Sequence, residues 1–393
     1  MSGLLKICLN AISLTLLLLL ASCSQNPVRT TDNSSVLDFD EKSIRSVVDE
    51  KFIKTLTENL NNGTLTEDDF HIEYLISEVR KFDGTQNISD SKMLKSLVNA
   101  FNNKVSTANN DKLKWLFVTF RGNNSNKEPL DLVYRLDGIE AIQYISIKLL
   151  NTRDGVKIAD WYNHNSQLTL SYAVGKYVSL GYLATKKQKS NPDDTTLRAF
   201  SNFSKTLLKG NYQALNKWFN RLPESYKNER LIQIRRLEAA RQESQDVYHS
   251  ALEEYYARFG TRMTDGHLID YYLYIGENTK AAKLFEKQSQ EIGGDAELDV
   301  FIASVYFLGE DYKSCLKYTK SLMRKTPKDE RAYWLSLKCF ANLNQHQEML
   351  LVLDILKHTF QFTIETQFFD QEEYYLGFKN SKQFDIWYNK NQG

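Results

Sequence analysis

The sequence predicts an α+β domain followed by an all-α solenoid, on three observations. Apolar residues recur at helical spacing from Glu41 to about Thr107. The period drops to two between Trp115 and Tyr162. Beyond Thr195 the helical pattern returns and, in its better-defined part, repeats every 34 residues to about Phe360. At roughly 150 residues per domain, a chain of 393 residues holds two or three domains. Its 42% apolar and 25% charged content is that of a folded globular chain, and argues against bulk disorder and against a polytopic membrane protein. With 50 basic and 49 acidic side chains, the net charge of +1 supplies no general pull towards nucleic acid.

The N-terminus reads as an address. Lys6 gives a short positive start, and Ile7 to Ala21 is apolar apart from Asn10, Ser13 and Thr15. That core is too short and too abruptly ended for a spanning helix, and it has the form of a secretory signal. The string Leu20-Ala21-Ser22-Cys23 resembles a bacterial lipoprotein lipobox. The resemblance implies a signal peptide over 1–22, removal of that peptide, and acyl chains (palmitate among them) on Cys23. More than one chain is needed for durable anchoring. Ser24, where an Asp implies inner-membrane retention, points to the outer membrane of a bacterial envelope. Residues 23–40 are polar and without periodicity, as expected of a flexible tether.

The first domain is expected over 41–185. Ser43 caps a helix carrying Ile44, Val47, Val48, Phe52, Ile53, Leu56 and Leu60, which Asn61-Asn62-Gly63 stops. Thr66 with Asp69 opens a second helix through Val79. Ser89 or Asp90 opens a third, through Met93 and Phe101. Four strands follow, centred on 115–120, 130–136, 142–149 and 156–162, with breaks at Gly122-Asn123-Asn124, Asp137-Gly138 and Asp154-Gly155. Short loops make them an antiparallel meander that needs helices to cover one face. Helices followed by such a sheet resemble the cystatin-like or nuclear-transport-factor-like α+β cone. Cones of that kind often hold a pocket, for which Asp160, Trp161 and His164, the sheet's one acid–histidine cluster, are the candidate lining. Core and cross-strand packing explains the same residues.

Leu168 to Leu183 reads as a helix. The stretch 186–194, with Lys186, Lys187, Lys189 and Pro192, reads as a linker. From 195 to 360 only helices are expected. Tyr272, Tyr306 and Phe340 are spaced by 34, as are Ala281, Cys315 and Met349, and Phe285, Thr319 and Leu353. Turn residues recur at Gly276, Gly309 (one place early) and Asn344. These strings resemble tetratricopeptide repeats, in which a helix pair packs an aromatic against a small residue across a turn. Two units upstream, around Leu215 and Ala251, are degenerate. Residues 361–393, rich in aromatics, read as a helical cap on the last repeat. Cys315 and Cys339 fall at similar heights on two antiparallel helices, either as two small core residues or as a disulfide.

No nucleotide-binding loop, dinucleotide fingerprint, HExxH, paired CxxC or nucleophile elbow is present, and the six histidines are far apart. The expectation is a non-enzyme without a cofactor or metal. Its expected partners are the membrane, through the acyl chains of Cys23, and an unidentified envelope protein or peptide, but not nucleic acid. The resemblance to repeat solenoids implies a protein-binding scaffold whose face includes Asp270, Tyr274, Asp299, Tyr333 and Lys338. The alternative is a small molecule or glycan bound in the first domain.

Overall fold

The computed structural model describes residues 44–87, 89–90, 114–122, 129–137, 142–208, 212–260 and 265–391. The signal, Cys23, the tether and the expected third helix over Met93–Phe101 lie outside them. The chain divides into two compact units, one ending at Tyr271 and one running from Tyr272 to Gly393.

In the first unit the long opening helix is interrupted. After Ile44–Val47 the Asp49 carboxylate accepts the Phe52 N–H at 2.8 Å and starts a fresh helix, Glu50–Asn62. A short polar side chain competes well with the continuing backbone for such a bond. Gly63, at φ 66°, ends that helix as expected. Thr66 and Asp69 close a capping box on one 3₁₀ turn, after which His71 Nδ1 caps Ile72–Arg80 by accepting Tyr74 N–H.

The sheet is an antiparallel meander of five strands, not four: β1 Lys114–Arg121, β2 Leu130–Asp137, β3 Ile142–Thr152, β4 Gly155–Asn163 and β5 Leu168–Thr169. The fifth strand pairs with β4 through two residues, too few to leave a period in the sequence. Period two sorts the faces. Leu130, Leu132, Tyr134 and Leu136 of β2, with Ile145, Ile147 and Leu149 of β3, join Leu56, Leu60, Leu75, Val79, Val174 and Tyr177 in one apolar core. The other face carries a cross-strand row of alternating charge, Arg121–Asp131–Lys148–Asp160.

The helix Leu170–Ser190 departs from the expected boundary. It continues through 186–190, where Lys187 and Lys189 lie in the last turn and favour the negative end of the helix dipole. The stretch expected as a linker therefore lies within the first unit, which runs on through helices 196–208, 212–220, 224–227, 230–243 and 245–259.

The second unit is a run of antiparallel helices: Asn278–Ile292, Ala296–Leu308, Tyr312–Lys325, Glu330–Asn342 and His346–His358. Its period of 34 is written in the backbone. Gly276, Glu310 and Asn344 adopt left-handed φ values of 77°, 58° and 54°. Each time, the following N–H closes on the carbonyl of the aromatic five residues before it: Glu277 on Tyr272, Asp311 on Tyr306 and Gln345 on Phe340, at 2.9–3.0 Å. The small-residue slots Ala281, Cys315 and Met349 are all fully buried. Glu310, not Gly309, occupies the left-handed place. Gly309 has φ −88°, open to any residue, and lies close to helix 278–292: a Cβ there would meet Asn278 Cβ at 3.1 Å and Thr279 Oγ1 at 3.3 Å. Beyond the last pair, Phe369, Tyr375, Phe378 and Trp387 are buried together in the C-terminal segment. Cys315 and Cys339 are joined as a disulfide between helices 312–325 and 330–342.

Two outcomes follow from these turns and this bridge. Glu310→Gly relieves a left-handed non-glycine residue and raises stability by about 0.5–1 kcal/mol, which urea midpoints at unchanged m values measure. Replacing both cysteines by alanine opens a loop of 24 residues and lowers stability by about 2–4 kcal/mol. Mass analysis after alkylation of the denatured, unreduced chain leaves Cys315 and Cys339 unlabelled; labelling of both would show free thiols.

Candidate functional site

Sequence reasoning singled out two sets of side chains. In the first, β4 brings Asp160 and His164 to one side of the sheet and Trp161 to the other, where it packs against the apolar core. Asp160 is 3% exposed. One of its oxygens accepts from Trp161 N–H at 2.8 Å and Ser171 N–H at 3.2 Å, and the other accepts from the Ser171 hydroxyl. The carboxylate thus fastens the first turn of helix 170–190 to β4. Burial pushes its pKa upward against those hydrogen bonds and Lys148.

His164 is 2% exposed, and its Nε2 lies 2.7 Å from the Ser146 hydroxyl. Tyr162 meets its ring edge-on at 4.9 Å between centroids. Burial, with Arg121 adding to it, drives its pKa down to about 4. The ring is therefore neutral near pH 7, and Nδ1 has no hydrogen-bond partner among the described residues. A serine on one ring nitrogen is the contact that activates a hydroxyl nucleophile. An acid on the other nitrogen would orient such a base, and none is placed there among the described residues. Ser146 was not singled out from sequence, because its meeting with His164 comes from the β3–β4 register. The three proposed pocket residues do not converge: Asp160 binds the first turn of a helix, Trp161 is partly buried against the core on the other face, and His164 pairs with Ser146.

The five candidates on the helical repeats are divided between the two units, Asp270 in the first and the other four in the second. Asp270 accepts from Arg241 at 2.8 Å and from the Tyr248 hydroxyl at 2.7 Å. Asp299 is buried and pairs with Lys325 at 2.7 Å. Tyr333 is buried against Phe360, its hydroxyl donating to the Pro327 carbonyl at 3.2 Å. These three have structural partners within the chain. Tyr274 is exposed and Lys338 half-buried, so both remain accessible to a partner.

A cluster not foreseen from sequence stands beside Asp270 in the first unit. Arg230, Tyr255 and Asp265 form one interlocked triad, and Arg241, Tyr248 and Asp270 form another. His267 lies under the fields of both acids and both arginines. Its neutral form is held by burial, and neither ring nitrogen has a hydrogen-bond partner among the described residues. The spacing of the partners, 25 to 35 residues apart for Arg230, hid the triads.

Among the described residues no group of three histidine, cysteine or carboxylate side chains is placed to hold a metal ion. No helix among them is long and apolar enough to cross a membrane. No protein-family profile matches the chain, and no curated protein sequence matches it.

The pH dependence of stability reports on His164. Its pKa is about 4 folded and 6.5 unfolded, so the unfolded chain takes up the proton first. The stability this neutral histidine supports is complete above pH 6.5 and is lost as the pH falls towards 4. The expected stability advantage of wild type over His164→Gln at pH 7.5 shrinks by roughly 2–3 kcal/mol at pH 4. Urea unfolding of both chains at pH 7.5, 5.5 and 4 measures it, and a difference independent of pH would place the charge change elsewhere.

Proposed function

We propose that this protein is a lipid-anchored bacterial envelope protein that binds another protein through its C-terminal helical repeats, without catalysis. Leu20-Ala21-Ser22-Cys23 supports the anchor: an acylated Cys23 and a polar tether would hold the folded body close to a membrane, the outer membrane being favoured by Ser24. The observation that carries the binding role is the turn repeated at Gly276, Glu310 and Asn344, each with the same backbone closure. Equal turns stack equal helix pairs, and the physical use of such stacking is an extended surface that can hold a peptide or a partner helix. The likeness to tetratricopeptide repeats rests on this period together with the aromatic and small-residue slots. The cystatin-like reading of the first domain rests only on element order, and a small-molecule site there draws no support from Asp160, Trp161 or His164, each bound up in internal packing.

The test has two parts. Mass analysis of the mature N-terminus is expected to find an acylated Cys23, and cleavage elsewhere removes the anchor. A photo-crosslinking residue at Tyr274 or Lys338 of the full chain, in cells, is expected to give a discrete adduct with an envelope protein. The same residue at exposed Lys51 is expected to give none. Absence of adducts at every accessible position of residues 272–393 ends the scaffold reading.

A further inference from the structure

The helix Tyr312–Lys325 contains no acidic residue. Lys313, Lys317, Lys320 and Arg324 recur on it at steps of four, three and four, and all four are exposed. At about 3.6 residues per turn, they fall within roughly 60° of one another, along about 16 Å of the helix. Their face is turned away from the buried Cys315, Leu316, Thr319 and Leu322. None of the four has a carboxylate within ion-pairing distance among the described residues, in contrast with Lys325 of the same helix, which pairs with Asp299. Two of the ammonium groups are positioned by rings: Lys317 over Tyr318 at 5.4 Å and Lys320 over Phe340 at 5.9 Å. Glu286, on the neighbouring helix, accepts the hydroxyls of Tyr306 and Tyr318 and forms no ion pair with any of the four among the described residues.

The repeat shows that this charge is a line. One period earlier the same four places hold Thr279, Lys283, Glu286 and Gln290, and one period later Gln347, Leu351, Asp354 and His358. A membrane presents a plane of headgroups and is met by cations spread over several helices. A single row of four cations fits a single row of carboxylates.

We propose that the Lys313–Lys317–Lys320–Arg324 row is a docking surface for an acidic segment of a partner protein, with Asp or Glu at every third or fourth residue. This names the partner chemistry of the scaffold reading and rests on it. Exposed ion pairs are screened by salt, so the contact weakens steeply as ionic strength rises.

The test uses the full chain in neutral detergent and a fluorescent helical peptide with glutamates at positions 1, 5, 8 and 12. A second peptide of equal composition has its glutamates spread around the helix. Anisotropy is expected to show at least fivefold tighter binding of the striped peptide. That preference is expected to vanish in Lys317→Glu/Lys320→Glu and to survive in Lys51→Glu/Lys382→Glu, which carries the same change in net charge. Thermal melts check that each variant is folded. Equal binding of the two peptides, or a preference unchanged by the Lys317→Glu/Lys320→Glu variant, overturns the proposal. So does a row that ignores both peptides while it retains the chain on phosphatidylglycerol-doped micelles in a Lys317- and Lys320-dependent way, which assigns it to lipid headgroups. Loss of the peptide preference with Tyr274 adducts intact removes this row and leaves the scaffold standing.

Discussion

The first unit depends on one buried carboxylate. Asp265 is fully enclosed, and its two oxygens receive the Arg230 guanidinium at 2.8 Å, the Tyr255 hydroxyl, and the N–H groups of His267 and Leu268 at 3.1 and 3.3 Å. Arg230 also donates to the Ser166 carbonyl, and Gly266 N–H to the Asn165 carbonyl at 2.8 Å. A side chain at Gly266 would collide with Asn165, so the close approach needs glycine there. The loop that leaves β4, two long helices and the start of a third therefore meet at a single charge. Breaking such a pair by removing one partner strands the other charge without water, at a cost of about 3–5 kcal/mol. These bonds tie helices 230–243 and 245–259 to the loop after β4, while helices 196–208 and 212–220 join the sheet through the apolar core, by Phe200, Phe203, Leu215 and Phe219.

Elements set by local patterning were legible in the sequence. The strand period, the turns at Gly122 and Gly155, the stop at Gly63 and the repeating aromatics at Tyr272, Tyr306 and Phe340 each follow from a few adjacent residues. What was not legible came from contacts distant in sequence. The linker reading of 186–194 weighed the lysines and Pro192 as breakers, while the helix gains from cations in its last turn and ends only at Asn191. In the middle repeat the turn signal in the sequence, Gly309, stands one place early. The backbone turns at Glu310, the place that matches Gly276 and Asn344 at the period of 34.

Candidate site residues fared differently for a common reason. Asp160, Asp299, Tyr333 and Asp270 were chosen for their polarity on expected faces, and all four proved to be partners for groups within the chain. A polar side chain that is buried must be bonded, so polarity in a folded interior marks architecture before it marks function. Accessible chemistry is found where bonding inside the chain stops. In the second unit that condition is met, among the described residues, by the cations Lys313, Lys317, Lys320 and Arg324 of helix 312–325.

The two kinds of residue are connected through the repeat. A strict period fixes the buried slots, as the shared burial of Ala281, Cys315 and Met349 shows, and leaves the outward places free to differ from one unit to the next. Thr279, Lys313 and Gln347 occupy one such place, and Glu286, Lys320 and Asp354 another. Stability is thereby assigned to positions that repeat, and the positions that do not repeat carry little of it. The middle repeat departs most clearly on both counts, with a disulfide that ties it to the next repeat and an unbroken row of cations outside. A bridge between helices 312–325 and 330–342 limits movement of the helix that carries the row, and Tyr318 and Phe340 fix two of its ammonium groups in place. A charged surface that is held still loses less entropy when a partner orders it, which is the advantage that the proposed docking row would draw from the bridge.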